Sequence, residues 1–219
     1  MKYLFVYLLC LSFLSATAQT IEQIDSLNLK ICQTLEKNKS LKDEERINIL
    51  KQEFLEPFLG KIKDTIKQKE AFDKVFYRLQ KNCNEFVILL SAQTENKSDW
   101  KILNEAPTIN ISDKQCGIFF SNQNYFYKEN DGSIVNVTIT DNTWTEEFED
   151  KSFSKLILRK KDHCSFELEF IESNNRTRKN LSIKGDRYFY QIYEVAENSY
   201  KIYTPNDGIY YAFKMYLKK

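Results

Sequence analysis

From Ile21 the apolar residues recur at helical spacing, through Ile24, Leu27, Ile31 and Leu35. Asn38, Lys39 and Ser40 interrupt that stripe, and Ser40 ahead of Asp43 and Glu44 reads as a helix start with acids in its first turn. A second stripe runs through Ile47, Leu50, Phe54 and Phe58. Pro57 within it predicts a kink or break, because proline has no N–H to donate and its ring crowds the preceding turn. Leu59, Ile62 and Ile66 keep the spacing, and a last helix reads Phe72, Phe76, Leu79, Cys83, Val87 and Leu90. The pattern predicts a small bundle of three or four helices over residues 19–92.

Residues 93–112 hold Pro107 and no sustained period, and read as a linker with a short element around Trp100 to Leu103. Over residues 113–219 the period becomes two. Cys164, Phe166, Leu168 and Phe170 alternate with Ser165, Glu167 and Glu169, and Ile209, Tyr211, Phe213, Met215 and Leu217 repeat the alternation. Asn130-Asp131-Gly132, Asn174-Asn175, Lys184-Gly185-Asp186 and Asn206-Asp207-Gly208 are turn signals between strands. The expected fold class is therefore α+β, a helical bundle followed by about seven to nine strands in an antiparallel up-and-down meander. Closing the meander into a barrel, or folding it into a sandwich, removes its exposed edges.

The first eighteen residues belong to neither half. Lys2 precedes an apolar run from Tyr3 to Leu14, and Ala16 and Ala18 form an A-x-A exit before Gln19. The run is shorter than the roughly 20 residues a membrane span needs, so it reads as a signal peptide cleaved near Ala18. Cys10 as a lipid-modified cysteine is disfavoured, because Leu9 stands where a small residue is wanted. No later stretch is long and apolar enough to span a membrane, and the chain is expected in the periplasm or outside the cell.

Export changes how the cysteines read. Once Cys10 leaves with the leader, Cys32, Cys83, Cys116 and Cys164 remain, an even number in an oxidising compartment. Three pairings are open; Cys32–Cys83 with Cys116–Cys164 is preferred, since each bridge then stays within one half. Each closes a loop of about 50 residues, which in the chain-entropy model stabilises by about 4 kcal/mol.

Charge excludes some functions. Residues 19–112 carry fifteen charges of each sign and residues 113–219 carry sixteen of each. Neither half has the basic footprint of a nucleic-acid binder or of a polybasic membrane clamp.

The β half resembles small exported proteins of the Bacteroidota lineage with a two-cysteine, lipocalin-like domain. The likeness rests on Cys116-Gly117-Ile118-Phe119, on Cys164-Ser165-Phe166-Glu167-Leu168, on Gly185 before Tyr188 to Val195, and on Tyr200. It covers about half the chain and implies a lipocalin-like fold and an exported location. Such proteins would carry an Arg near Ile139 and a Trp near Lys160, and this chain has neither.

Motifs for chemistry are few. His163 is the single histidine, which excludes sites needing two imidazoles, and no P-loop, G-x-S-x-G or G-x-G-x-x-G occurs. A thiolate at Cys116 or Cys164 paired with His163 is one candidate; a loop histidine beside structural cysteines is the plainer reading. Glu146, Glu147, Glu149 and Asp150 form an acidic run, but alternation splits it between two faces and no calcium loop accompanies it. It reads as a solvated strand end, with Arg159-Lys160-Lys161 or Arg176, Arg178 and Lys179 as facing partners. No metal or cofactor is expected. Trp144, Phe166, Tyr188, Tyr190, Tyr200, Tyr211 and Phe213 are the candidate ligand-binding set, either lining a barrel cavity for an apolar or flat molecule or filling it as plain core.

The leading expectation is a non-enzymatic binding or accessory module. A protein-interaction factor that docks through the helical half is the alternative, recognisable by Phe54, Phe58 and Phe72 staying exposed. A carboxylate hydrolase, the third reading, needs two acids to converge in a cleft.

Overall fold

A computed structural model describes residues 20–93, 97–121 and 124–218. The expected leader, its exit at Ala18 and Cys10 lie outside the described residues.

The chain enters its first helix through a capping box. Thr20 Oγ1 accepts from the Gln23 amide at 3.3 Å, and Gln23 Oε1 accepts from the Thr20 N–H at 3.1 Å, which satisfies two amides that the helix itself leaves open. This helix, α1 (Ile21–Lys37), buries Ile24, Ile31 and Leu35. Helix α2 (Asp43–Ile49) continues into a π-helical stretch, Leu50–Leu55, and then α3 (Glu56–Leu59). The wide turn sits just before Pro57, and the Glu56 N–H reaches back five residues to Lys51 O. Proline thus re-routes the ladder where it cannot donate, without ending the rod.

Helix α4 (Thr65–Asn82) is capped by Asp64, whose carboxylate accepts from the Ile66 and Lys67 amides. The expected last helix is two helices. Cys83 takes an extended conformation at the end of α4, and α5 (Asn84–Gln93) begins after it. Ile24, Ile31, Leu35, Leu50, Val75, Leu79 and Phe86 form the bundle core, and the Cys32–Cys83 disulfide crosses it.

The meander resolves into a closed barrel. Strands β2 (Asn124–Lys128), β3 (Ile134–Thr140), β4 (Thr143–Glu147), β5 (Phe153–Lys160), β6 (Ser165–Ser173), β7 (Arg187–Ala196), β8 (Ser199–Asn206) and β9 (Ile209–Leu217) pair antiparallel in sequence order. β9 closes on β2 through Tyr125↔Leu217 and Phe126↔Tyr216 only. Beyond that point β2 and β9 separate, and β1 (Lys101–Leu103), the short element expected near Trp100, takes the place beside β9. The hairpin turns follow the sequence signals, with Gly132 at φ 90° and Asp207-Gly208 at φ 42° and 82°, left-handed positions that suit glycine and aspartate.

Two helices close the ends. Cys116-Gly117-Ile118-Phe119, which reads as the opening of a β domain, lies instead in α6 (Asp113–Ser121). Phe119 is fully buried and packs on Tyr125, Phe166 and Tyr200, while the Cys116–Cys164 disulfide ties α6 to the start of β6. Asn174-Asn175, expected between two strands, leads instead into α7 (Arg176–Leu181), with the Asn175 side chain accepting from the Thr177 and Arg178 amides. Both disulfides are those preferred from the sequence. Among the described residues no helix is long and apolar enough to cross a membrane.

Candidate functional site

The barrel is solid at one end and hollow at the other. Around α6, the rings of Phe119, Tyr125, Phe166 and Tyr200 fill the interior, and the Tyr125 hydroxyl donates to Phe119 O at 2.7 Å. Toward α7 the packing opens into a cavity of about 470 Å³, a size typical of small-molecule sites, which run from about 300 to 1,000 Å³. Of the seven expected residues, Trp144, Tyr188, Tyr190, Tyr211 and Phe213 line it. Phe166 and Tyr200 belong to the filled end. Phe166 nevertheless joins the two parts, because it stacks on Trp144 at 5.8 Å and on Tyr190 at 5.2 Å.

Trp100, from the linker, extends this aromatic wall by stacking on Phe213 at a centroid distance of 4.3 Å. β1 holds the linker on the barrel, and the Tyr216 hydroxyl donates to Asp99 at 2.5 Å from the neighbouring strand. Where β2 and β9 separate, the wall is therefore completed by β1, which pairs with β9, and by the Trp100 ring.

A charged cluster crosses the cavity mouth. Arg178, on α7, donates through Nε to Glu146 at 3.2 Å, through Nη2 to the Tyr127 hydroxyl at 2.7 Å, and through Nη2 to Glu129. The Tyr127 hydroxyl in turn donates to the other Glu146 oxygen at 2.9 Å. Burial pushes the Tyr127 phenol well above its ordinary value, further than the Arg178 charge pulls it back, so it stays a donor. Desolvation opposes the charge on Arg178, but Glu129, Tyr127 and Glu146 together outweigh it and hold the guanidinium well above its ordinary value. Burial likewise lifts Tyr188 to about 12 and raises Tyr190 still further.

Glu146 is thus not a solvated strand end: it is 8% exposed and faces inward beside Trp144. The pairing of this acidic run with Arg178 is as the sequence suggests, but from a helix rather than a neighbouring strand. Glu147 is exposed, and Glu149 and Asp150 accept from the Ile134 and Ser152 amides. Among the described residues no group of three or more histidines, cysteines or acids gathers to hold a metal. Cys116 and Cys164 are bonded to each other, so neither thiol is free to pair with the exposed His163.

Ser154 and Arg178 also line the cavity; the sequence offers Arg178 as a partner of the acidic run but not as a cavity residue, and it does not single out Ser154. Ser154 shares the inward parity of Leu156 and Leu158, the one signal that marks it. Two polar atoms of the lining are buried without a hydrogen-bond partner among the described residues, Trp144 Nε1 and Ser154 Oγ.

The bundle covers the mouth. Gln80, Lys81 and Val87 face the cavity, and the attachment around them is polar. Arg176 grips Asp73 through two bonds of 2.8 and 2.7 Å, Lys81 pairs with Asp186, and Asn84 bonds Asn206 and the Tyr211 hydroxyl. A second hollow, of about 1140 Å³, lies between bundle and barrel rim and shares Trp100, Glu129, Arg178 and Tyr211 with the first. A third, of about 790 Å³, sits on the outer bundle among Lys30, Lys61, Lys63 and Lys67. Phe54 and Phe58 are packed against the bundle core, and Phe72 alone of the three marker phenylalanines is exposed.

Compared with protein-family models, with curated proteins and with solved structures, the chain matches none.

Proposed function

We propose that this chain is an exported, non-enzymatic binding module that holds a small, largely apolar molecule inside the barrel. The half-hollow interior carries the reading. An eight-stranded barrel is just wide enough for its own side chains to fill, and here they fill only the α6 end, leaving an aromatic-walled space with a few placed polar groups. The bundle acts as its cover, and the shared rim near Trp100 and Tyr211 is the route of entry. Export is supported by two disulfides in one chain and by the leader pattern ahead of Gln19. The two bridging cysteines of the barrel also support kinship with the exported lipocalin-like proteins that the β half resembles.

Two acids do converge, as a hydrolase would need, but Glu146 spends one oxygen on Tyr127 and the other on Arg178. The pair therefore serves to hold a guanidinium across the mouth. Packing of Phe54 and Phe58 against the bundle core takes two of the three marker phenylalanines out of the face that a docking factor would present.

The chain has two tryptophans, Trp100 and Trp144, and both line the cavity. Titration with the neutral fluorophore N-phenyl-1-naphthylamine should give saturable energy transfer from tryptophan at one probe per chain. Emission that never saturates, or that is unchanged in a variant with Ser154→Phe projecting a ring into the cavity, would contradict the reading.

A further inference from the structure

We propose that the barrel takes an uncharged, flat ring compound bearing an oxygen acceptor, seated with that oxygen against Trp144 and Ser154. This rests on the binding reading above and names the chemical class of its ligand.

The charges of the lining argue against an ion. Each cationic side chain around the cavity already has a carboxylate: Arg178 has Glu129 and Glu146, Lys81 has Asp186, and Arg187 has Glu169 at 3.1 Å. Among the described residues of the lining no ammonium or guanidinium is left without a carboxylate to meet an anionic headgroup, and an anion placed beside Glu129 and Glu146 would be desolvated against like charge. A cation fares little better, because both Glu146 oxygens are already engaged.

The unpartnered polar atoms say what is wanted instead. Trp144 is 3% exposed and Ser154 1%, so their free Nε1 and Oγ are buried polar groups of the kind that native interiors rarely leave unpaired. Trp144 pairs across the sheet with Leu156, and Ser154 lies two residues before Leu156 and opposite Glu146. The two are therefore diagonal neighbours on the inward face of β4 and β5. An indole N–H only donates, and a serine hydroxyl can donate as well. Their common complement is an acceptor oxygen. Around them, Trp100, Trp144, Tyr190 and Phe213 line the cavity with aromatic rings, against which a planar ring packs better than a bent alkyl chain.

Four naphthalenes of nearly equal size test this by isothermal titration calorimetry on the disulfide-intact chain: 1-acetylnaphthalene, 1-ethylnaphthalene, 1-naphthoate and 1-naphthylmethylammonium. The ketone should bind about tenfold more tightly than the ethyl compound, and both ions more weakly than either. Trp144→Phe, which keeps a ring but removes the indole donor, should pull the ketone-to-ethyl ratio down toward one, with only Ser154 left to donate. Ser154→Ala, a smaller change, makes the same comparison if the tryptophan variant does not fold. Equal affinity for ketone and ethyl compound, or tightest binding of either ion, overturns the ligand class while leaving the barrel a binding site. Heat from none of the four overturns the binding reading itself and this inference with it.

Discussion

At the barrel mouth one guanidinium is shared by two carboxylates and a phenol, and removing it leaves charges that nothing else compensates. Arg178→Met is therefore expected to cost about 3–5 kcal/mol of unfolding free energy, the usual penalty for breaking a buried ion pair by removing one partner. Urea unfolding measures it. Adding Glu129→Gln and Glu146→Gln should recover much of the loss, since the stranded charges are then gone as well. A loss below about 0.5 kcal/mol, as for an exposed pair, would mean that Arg178 is solvated and does not close the mouth. The sequence shows why this network is hard to foresee. An inward Glu146 and an outward Glu147 look alike in composition; only shared parity with Trp144 marks the first as buried. Arg178 carries no such mark, because a six-residue helix has too few turns to show a stripe. The aromatic residues were legible as a set because alternation put them on one face. Which of them would fill and which would line was not, since that depends on where α6 inserts Phe119.

Among the elements, α7 joins the barrel to the bundle, and its grip on α4 runs through Asp73. Arg176 donates two hydrogen bonds to this carboxylate and holds it below the ordinary carboxylate range. A group depressed in the folded state stabilises above its unfolded value, about 3.9 for aspartate, and that contribution is lost as the pH falls through the folded value. Asp73→Asn should thus melt at a lower temperature than the parent chain near neutral pH, and the difference should close below about pH 4. Thermal melts across that range measure both. A difference that persists unchanged in acid would show that the aspartate acts by packing rather than by charge. The elements themselves were mostly readable, because long stripes and strict alternation are strong signals. The exceptions are local. A stripe through Cys83 continues across the break, since residues on either side of an extended cysteine keep the spacing. Helix α6 was hidden because its apolar Cys116, Ile118, Phe119 and Phe120 also suit a strand. Helix α7 was hidden because Asn175 caps a helix with the same residue type that makes a turn.

For the whole molecule, the exported reading sets a mass. The chain produced with its leader and kept unreduced should begin at Gln19 and lack four thiol hydrogens, for Cys32–Cys83 and Cys116–Cys164. Intact mass spectrometry distinguishes this from a chain that retains its leader, one that begins at a lipidated Cys10, or one with free thiols. The two halves each carry their own core and disulfide and meet through polar contacts over the cavity, an arrangement that suits a cover able to lift. Occupancy of the barrel is most directly seen by NMR. Trp100 and Trp144 supply the two indole N–H signals of the chain, and both flank the cavity. Adding N-phenyl-1-naphthylamine should shift both indoles together with the amides of Tyr190 and Phe213, while Phe119 and the outer bundle near Lys30 and Lys67 stay put. Shifts confined to the outer bundle, with both indoles unmoved, would place binding outside the barrel and contradict the proposed function.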